Sequence, residues 1–187
     1  ANQTTVDPKT EYKIGSYVLT STTAEDINLT SITADIDGST GEEDGEITNM
    51  YIKYGPAANM VTGSVKTNPS ESDAGNVWNI DYTLKVNTTI YIDVYADLDS
   101  SLDGGTDIIV TTLAAAGTAV SGTSVSESAV TGQSITIGTG GFSANLDGSS
   151  AVAALYASNS TIDVGKYRFT ATSEDAYIDL LRFTIGT

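Results

Sequence analysis

Two stretches of this chain repeat each other, and the manner of the repetition dictates strands. Residues 165–185, GKYRFTATSEDAYIDLLRFTI, are an imperfect copy of residues 15–36, GSYVLTSTTAEDINLTSITADI. With one residue skipped at Ala24, the pairs Gly15/Gly165, Tyr17/Tyr167, Thr20/Thr170, Thr22/Thr172, Glu25/Glu174 and Asp26/Asp175 coincide. Apolar residues alternate in both copies and change phase at the same place. Ile27 and Leu29 give way to Ile32, Ala34 and Ile36, while Ala176 and Ile178 give way to Leu181, Phe183 and Ile185. Successive strand side chains point to opposite faces, so a one-residue slip turns later residues to solvent unless a bulge absorbs it. The pattern predicts strands that bend or bulge at the slip, and an internal repeat of about 150 residues cut soon after its second unit begins.

Elsewhere the alternation is cleaner. Trp78, Ile80, Tyr82, Leu84 and Val86 share one face of a strand whose other face carries Asn79, Asp81, Thr83 and Lys85. After residues 87–89, Ile90, Ile92, Val94, Ala96 and Leu98 alternate with Tyr91, Asp93, Tyr95, Asp97 and Asp99, and the two segments read as a hairpin. Shorter strands are expected at 47–54, 59–66, 107–115, 134–137, 142–146 and 151–157, separated by Gly and Asn/Asp turns and by acidic loops at 37–46 and 100–106. No window of about 11 residues sustains a helical period. The expected class is all-β, an antiparallel immunoglobulin-like β-sandwich.

Residues 1–13 are polar and read as a leader or linker, with Val6 their only branched aliphatic. Residues 116–132, built from Gly, Ser, Ala, Thr and Val with little bulk, are either a flexible connector or a flat, weakly registered strand pair. Two partitions are open: a sandwich over 14–115 with a second, smaller β-unit over 116–187, or one larger sandwich filling the whole period.

Charge and residue usage remove several functions. With 24 acidic and 8 basic residues the formal charge is -16, which repels a phosphate backbone and excludes nucleic acid as a partner. The longest apolar run, 108–116, falls well short of the roughly 18 to 20 residues that span a bilayer, so no membrane span is expected. The polar start at Ala1 suits a mature chain after signal-peptide removal. Cysteine and histidine are absent, which leaves the redox compartment open and the common nucleophile and zinc arrangements unavailable. Carboxylates alone can cleave a glycosidic bond only as a pair at a set separation, and nothing selects such a pair. The chain reads as non-enzymatic.

The segments TGQSITIG, FSANLDGSS and STIDVGKYRFTATSEDAYIDLLRFTI resemble the repeating unit of large bacterial cell-surface proteins built from tandem immunoglobulin-like modules. The resemblance covers mainly residues 130–185 and, more faintly, 15–36. It implies an extracellular or cell-surface location and a role in a surface layer, stalk or filament, with copies of the chain or adjacent repeats as partners.

Candidate sites follow from residue type. Asp35, Asp37 and Asp44, with Glu42 and Glu43, form one acidic cluster, and Asp97, Asp99, Asp103 and Asp107 another. Loop carboxylates suit Ca²⁺, which takes roughly six to eight oxygens, so calcium is the candidate cofactor, against the plainer reading of solvated loops. The repeated Glu25-Asp26 and Glu174-Asp175 pairs either bind a cation between units or simply close turns. Tyr91 and Tyr95 either stack sugars, making an adhesin or carbohydrate-binding module with glycans as partners, or pair across strands. Asn-x-Ser/Thr sequons begin at Asn2, Asn28, Asn87 and Asn159. Tyr167, Phe169, Ile178, Leu181, Phe183 and Ile185 are the assembly candidates. Burial of such a side chain is worth roughly 1.5 to 3 kcal/mol, so they are expected to pack on this chain or on a neighbour.

Overall fold

The structure is a computed structural model that describes residues 2–21, 25–36, 46–70, 75–102, 107–149, 165–173 and 175–184. The chain divides into two compact units, Ala1–Gly138 and Thr139–Thr187. Every regular element among the described residues is a strand.

The first unit contains β1 (Gln3–Thr5), β2 (Lys9–Thr20), β3 (Ile27–Ile36), β4 (Ile47–Gly55), β5 (Val61–Thr62), β6 (Asn76–Leu84), β7 (Thr89–Leu98), β8 (Ile108–Ala119) and β9 (Ser124–Ile137). They form an antiparallel immunoglobulin-like sandwich of two sheets, ordered β1-β9-β8-β3-β6 and β2-β7-β4-β5. The short β1 is the exception in direction, running parallel to β9. Ile32, Trp78, Ile109 and Ile135 from the first sheet meet Ile14, Ile52, Ile92 and Val94 from the second in one apolar core. The alternation of β7 is realised as read: Ile90, Ile92, Val94, Ala96 and Leu98 are buried.

The phase slip in the first repeat copy becomes a bulge in β3. Leu29 pairs with Gly117 of β8 and Ser31 with Ala116, so Thr30 is the extra residue, and the register to β6 shifts at the same point. As a result Ile27, Leu29, Ile32, Ala34 and Ile36 all stay buried. The bulge needs Gly117, because a Cβ there would fall on the Asn28 carbonyl oxygen; the strand backbones approach too closely for any side chain.

Polar contacts tie the sheets together. The Tyr17 hydroxyl of β2 donates to the Thr111 carbonyl of β8 at 2.6 Å and lies 2.7 Å from the Thr111 hydroxyl. Gly15 and Gly132 make room for this contact, since a Cβ on either would sit 2.5 Å from Thr111 Oγ1 or the Tyr17 hydroxyl respectively. On the far side, the Trp78 indole N–H donates to the Ser64 carbonyl at 2.7 Å.

Several expectations need correction. Residues 78–86 and 90–98 do not form a hairpin: β6 pairs with β3, and β7 with β2 and β4, so residues 85–88 carry the chain from one sheet to the other. Alternation reports only that one face is buried, and it is the same for a hairpin as for an arch across a core. Residues 1–13 are no free linker, because they supply β1 and the start of β2, and Val6 is buried. Within 59–66 only Val61–Thr62 is a strand, with an isolated bridge from Lys66 to Met50. Residues 116–132 belong to the β8–β9 pair, whose register shifts twice, and the division of the chain falls after Gly138 rather than after Ala115. The strand expected at 151–157 lies outside the described residues.

Burial pushes the Tyr17 phenol above its ordinary pKa. The stability it contributes is present below the unfolded tyrosine pKa of about 10 and is lost as pH rises through the higher folded value. Tyr17→Phe should lower unfolding free energy by about 1 to 3 kcal/mol at neutral pH, the cost of leaving buried Thr111 acceptors unpaired. Denaturant melts at pH 7 and in the alkaline range should show this loss, and a shallower alkaline decline in the variant.

Candidate assembly site

The second unit is described at residues 139–149, 165–173 and 175–184. Its described strands are β10 (Gly141–Leu146) and β11 (Tyr167–Thr172), an antiparallel pair. Directly opposed residues share a face, and the register sets Phe142 against Ala171, Ala144 against Phe169 and Leu146 against Tyr167. One face is therefore apolar throughout; the other carries Ser143, Asn145, Arg168 and Thr170. The Phe142 and Phe169 rings stack with centroids 5.8 Å apart.

The end of this hairpin is well satisfied. Asp147 accepts hydrogen bonds from the Ser149 amide at 2.9 Å and hydroxyl at 2.6 Å, and an Arg168 N–H at 3.0 Å. The Ser149 bonds, with Arg168 behind them, hold the Asp147 carboxyl below its ordinary pKa. Among the described residues the apolar face has no such closure. Phe142, Leu146, Tyr167 and Phe169 are all exposed, and an isolated two-stranded hairpin is marginally stable at best in water.

Residues 175–184 continue the same problem. They carry no strand assignment, and Tyr177, Ile178, Leu180, Leu181 and Phe183 are exposed, Tyr177 by 92%. Their counterpart in the first copy is β3, held between β6 and β8. Of the predicted assembly residues, Tyr167 and Phe183 approach each other, with ring centroids 6.1 Å apart. Phe169 is on the same face of β11 as Tyr167, Ile178 and Leu181 lie in the tail, and Ile185 is outside the described residues.

The acidic candidates are mostly engaged locally. Asp97 accepts from the Glu11 amide at 2.7 Å and the Asn49 side-chain amide at 2.8 Å. Asp99 accepts from both the amide and the hydroxyl of Ser101. Asp107 is buried and Asp35 half-buried, while Asp37, Asp44, Asp103, Glu42 and Glu43 lie outside the described residues. Among the described residues, no three acidic, His or Cys side chains gather as a metal site. The first Glu-Asp pair clamps two turns. Glu25 accepts from the Ser121 amide and hydroxyl, both at 2.7 Å, and Asp26 accepts from Lys85 Nζ at 2.8 Å and the Val86 amide at 2.9 Å. The sequence showed these carboxylates without their serine and lysine partners, which are some 60 to 100 residues away in the chain. Glu174 is outside the described residues, and Asp175 is exposed.

Tyr95 stacks on Tyr51 of β4 at 5.2 Å, and the Lys53 ammonium sits 4.7 Å from its ring centroid. This is a cross-strand pair with a cationic cap. Tyr91, 42% exposed, has no ring neighbour among the described residues. The sequon residues Asn2, Asn28 and Asn87 are exposed; Asn159 is outside the described residues.

No family model matches the chain, and none of the curated proteins does. Among solved structures, the collagen binding subdomain of the Enterococcus faecalis surface protein ACE is similar to it at 12% identity and a TM-score of 0.29, over 70% of this chain and 98% of that one.

The Lys85 hydrogen bond, then the Val86 amide, holds Asp26 below the ordinary carboxylate pKa. Its contribution is present above the unfolded value of about 3.9 and is lost as pH falls through the lower folded value. Asp26→Asn should lower the melting temperature at pH 7 and flatten the acid limb of a stability-against-pH curve; calorimetry between pH 2 and pH 7 checks both.

Proposed function

We propose that this chain is a non-enzymatic extracellular structural protein whose copies join by strand pairing into a surface layer, stalk or filament. One observation carries the reading: the second unit presents an apolar sheet face and an apolar tail that remain exposed beside its described strands. An exposed apolar hairpin of this kind gains stability from a host surface, and strand addition supplies one, with main-chain hydrogen bonds for strength and alternate side chains for register. The repeated segment fits the same reading. Residues 165–184 are written in the pattern that is buried within a complete sandwich at residues 15–36.

Negative-stain microscopy and sedimentation of the purified chain at micromolar concentration should reveal oligomers or filaments. Removal of residues 166–187 should return the chain to monomers. Leu181→Ser with Phe183→Ser, which alter exposed side chains, should do the same while leaving the cooperative unfolding of the first unit intact. Unchanged assembly in both variants would reject the role. Because every copy carries a charge of -16, assembly should also strengthen from 0.01 M to 0.15 M salt, as the screening length shrinks from about 30 Å to about 8 Å.

A further inference from the structure

We infer that the acceptor for the tail is the open cleft between β2 and β9 of a second copy; the inference rests on the assembly reading above and names its other half. The two sheets of the first unit are unequal, five strands against four, and the mismatch falls here. β2 is the edge of the four-stranded sheet. β9 pairs with β8 along one side, but along the other it meets β1 only over Ile135–Ile137. Over 124–134 its outer edge has no ladder partner among the described residues.

Between the two edges lie adjoining hollows of about 220 and 380 Å³ that share Leu19, Ala115 and Glu127 in their walls. Their floor is apolar and already buried, formed by Leu29, Leu84 and Leu113. Their outer wall includes Val130, 49% exposed. β2 is bulged twice before Gly15, then keeps an unbroken register to Thr20, so the part of its edge facing the hollows is a regular template. A strand added to that edge gives the smaller sheet a fifth member and places inward side chains at alternate positions, over the hollows.

The occupant is residues 176–183 of another copy. This segment offers Ile178 and Leu180, which are exposed where they stand and share one face of a strand with Arg182. Its charge also fits. Glu127 is the charged residue in the walls of both hollows, and Arg182 is the basic residue of the tail. Neither has an ion-pair or hydrogen-bond partner among the described residues. In a chain with 8 basic residues against 24 acidic ones, a cation on the docking segment is where complementarity is most effective against general repulsion.

The chain has no cysteine, which permits a direct test. Chains carrying Glu127→Cys are mixed with chains carrying Arg182→Cys and oxidised under assembly conditions, with Val65→Cys, exposed and outside the cleft walls, as the control partner. A disulfide needs Cβ atoms about 3.5 to 4.5 Å apart, so a mixed dimer with Glu127→Cys and little with Val65→Cys is the expected result. In parallel, Glu127→Arg and Arg182→Glu should each weaken assembly by about tenfold or more, and the double variant should recover most of that loss. Equal cross-linking at Val65→Cys, or charge reversals without effect while truncation of the tail still abolishes assembly, overturns the cleft and leaves the assembly reading standing. Truncation without effect overturns that reading itself. A cross-link within single chains carrying both cysteines, with no mixed dimer, overturns the second copy as the occupant.

Discussion

The architecture of the first unit hangs on one extra residue. β3 is ladder partner to both β6 and β8, so a shift in its register is imposed on the sheet around it. Thr30 absorbs the slip, Gly117 yields the space, and five apolar residues on both sides of the bulge stay in the core. Without that accommodation, either Ile27 and Leu29 or Ile32, Ala34 and Ile36 would face water. Several buried branched side chains at roughly 1.5 to 3 kcal/mol each outweigh the total stability margin of many domains. A local irregularity is thus the condition for the regular structure around it.

The same sequence pattern meets two environments. In the first copy it finds β7 beside its first strand and β6 and β8 on either side of its second, and becomes part of a two-sheet sandwich. At residues 167–184 its first strand finds β10, and its second finds no ladder partner among the described residues. The difference lies in the available neighbours, since alternation, turn residues and slip are common to both. Strand structure is a property of pairs and sheets, and a segment written for the middle of a sheet has no local means of satisfying itself. That is why exposure of Ile178, Leu181 and Phe183 is informative where exposure of a solitary valine is not.

Some of this was legible beforehand. Period-two alternation placed β3, β4, β6, β7 and β10 to within a few residues, and the slip announced a bulge. Sheet membership was not legible: β6 and β7 are adjacent in sequence and equally amphipathic, yet lie in opposite sheets, because burial of one face constrains a strand's orientation and not its partner. The parallel docking of β1 on β9 was hidden for a related reason. Three residues of polar sequence pair with the edge of β9, and they carry no apolar alternation that would mark a strand. Carboxylates were conspicuous as residues but their roles were not, since Glu25 and Asp26 are read only through Ser121, Lys85 and Val86.

Electrostatics then separates the cations that serve the module's own strands and turns from those that do not. In a chain with a charge of -16, most cations are committed within a unit. Lys13 meets Asp93, Lys85 meets Asp26 and Arg168 meets Asp147, while Lys53 lies over Tyr95 and Lys66 over Trp78. These exposed pairs are individually weak, but each sits at a place where strands or turns must be registered. Arg182, like Lys9, has no described partner, and it is set apart by its place on a segment of exposed apolar side chains. A positive charge with no described partner, beside exposed apolar side chains, is the feature on which the proposed docking of the tail rests.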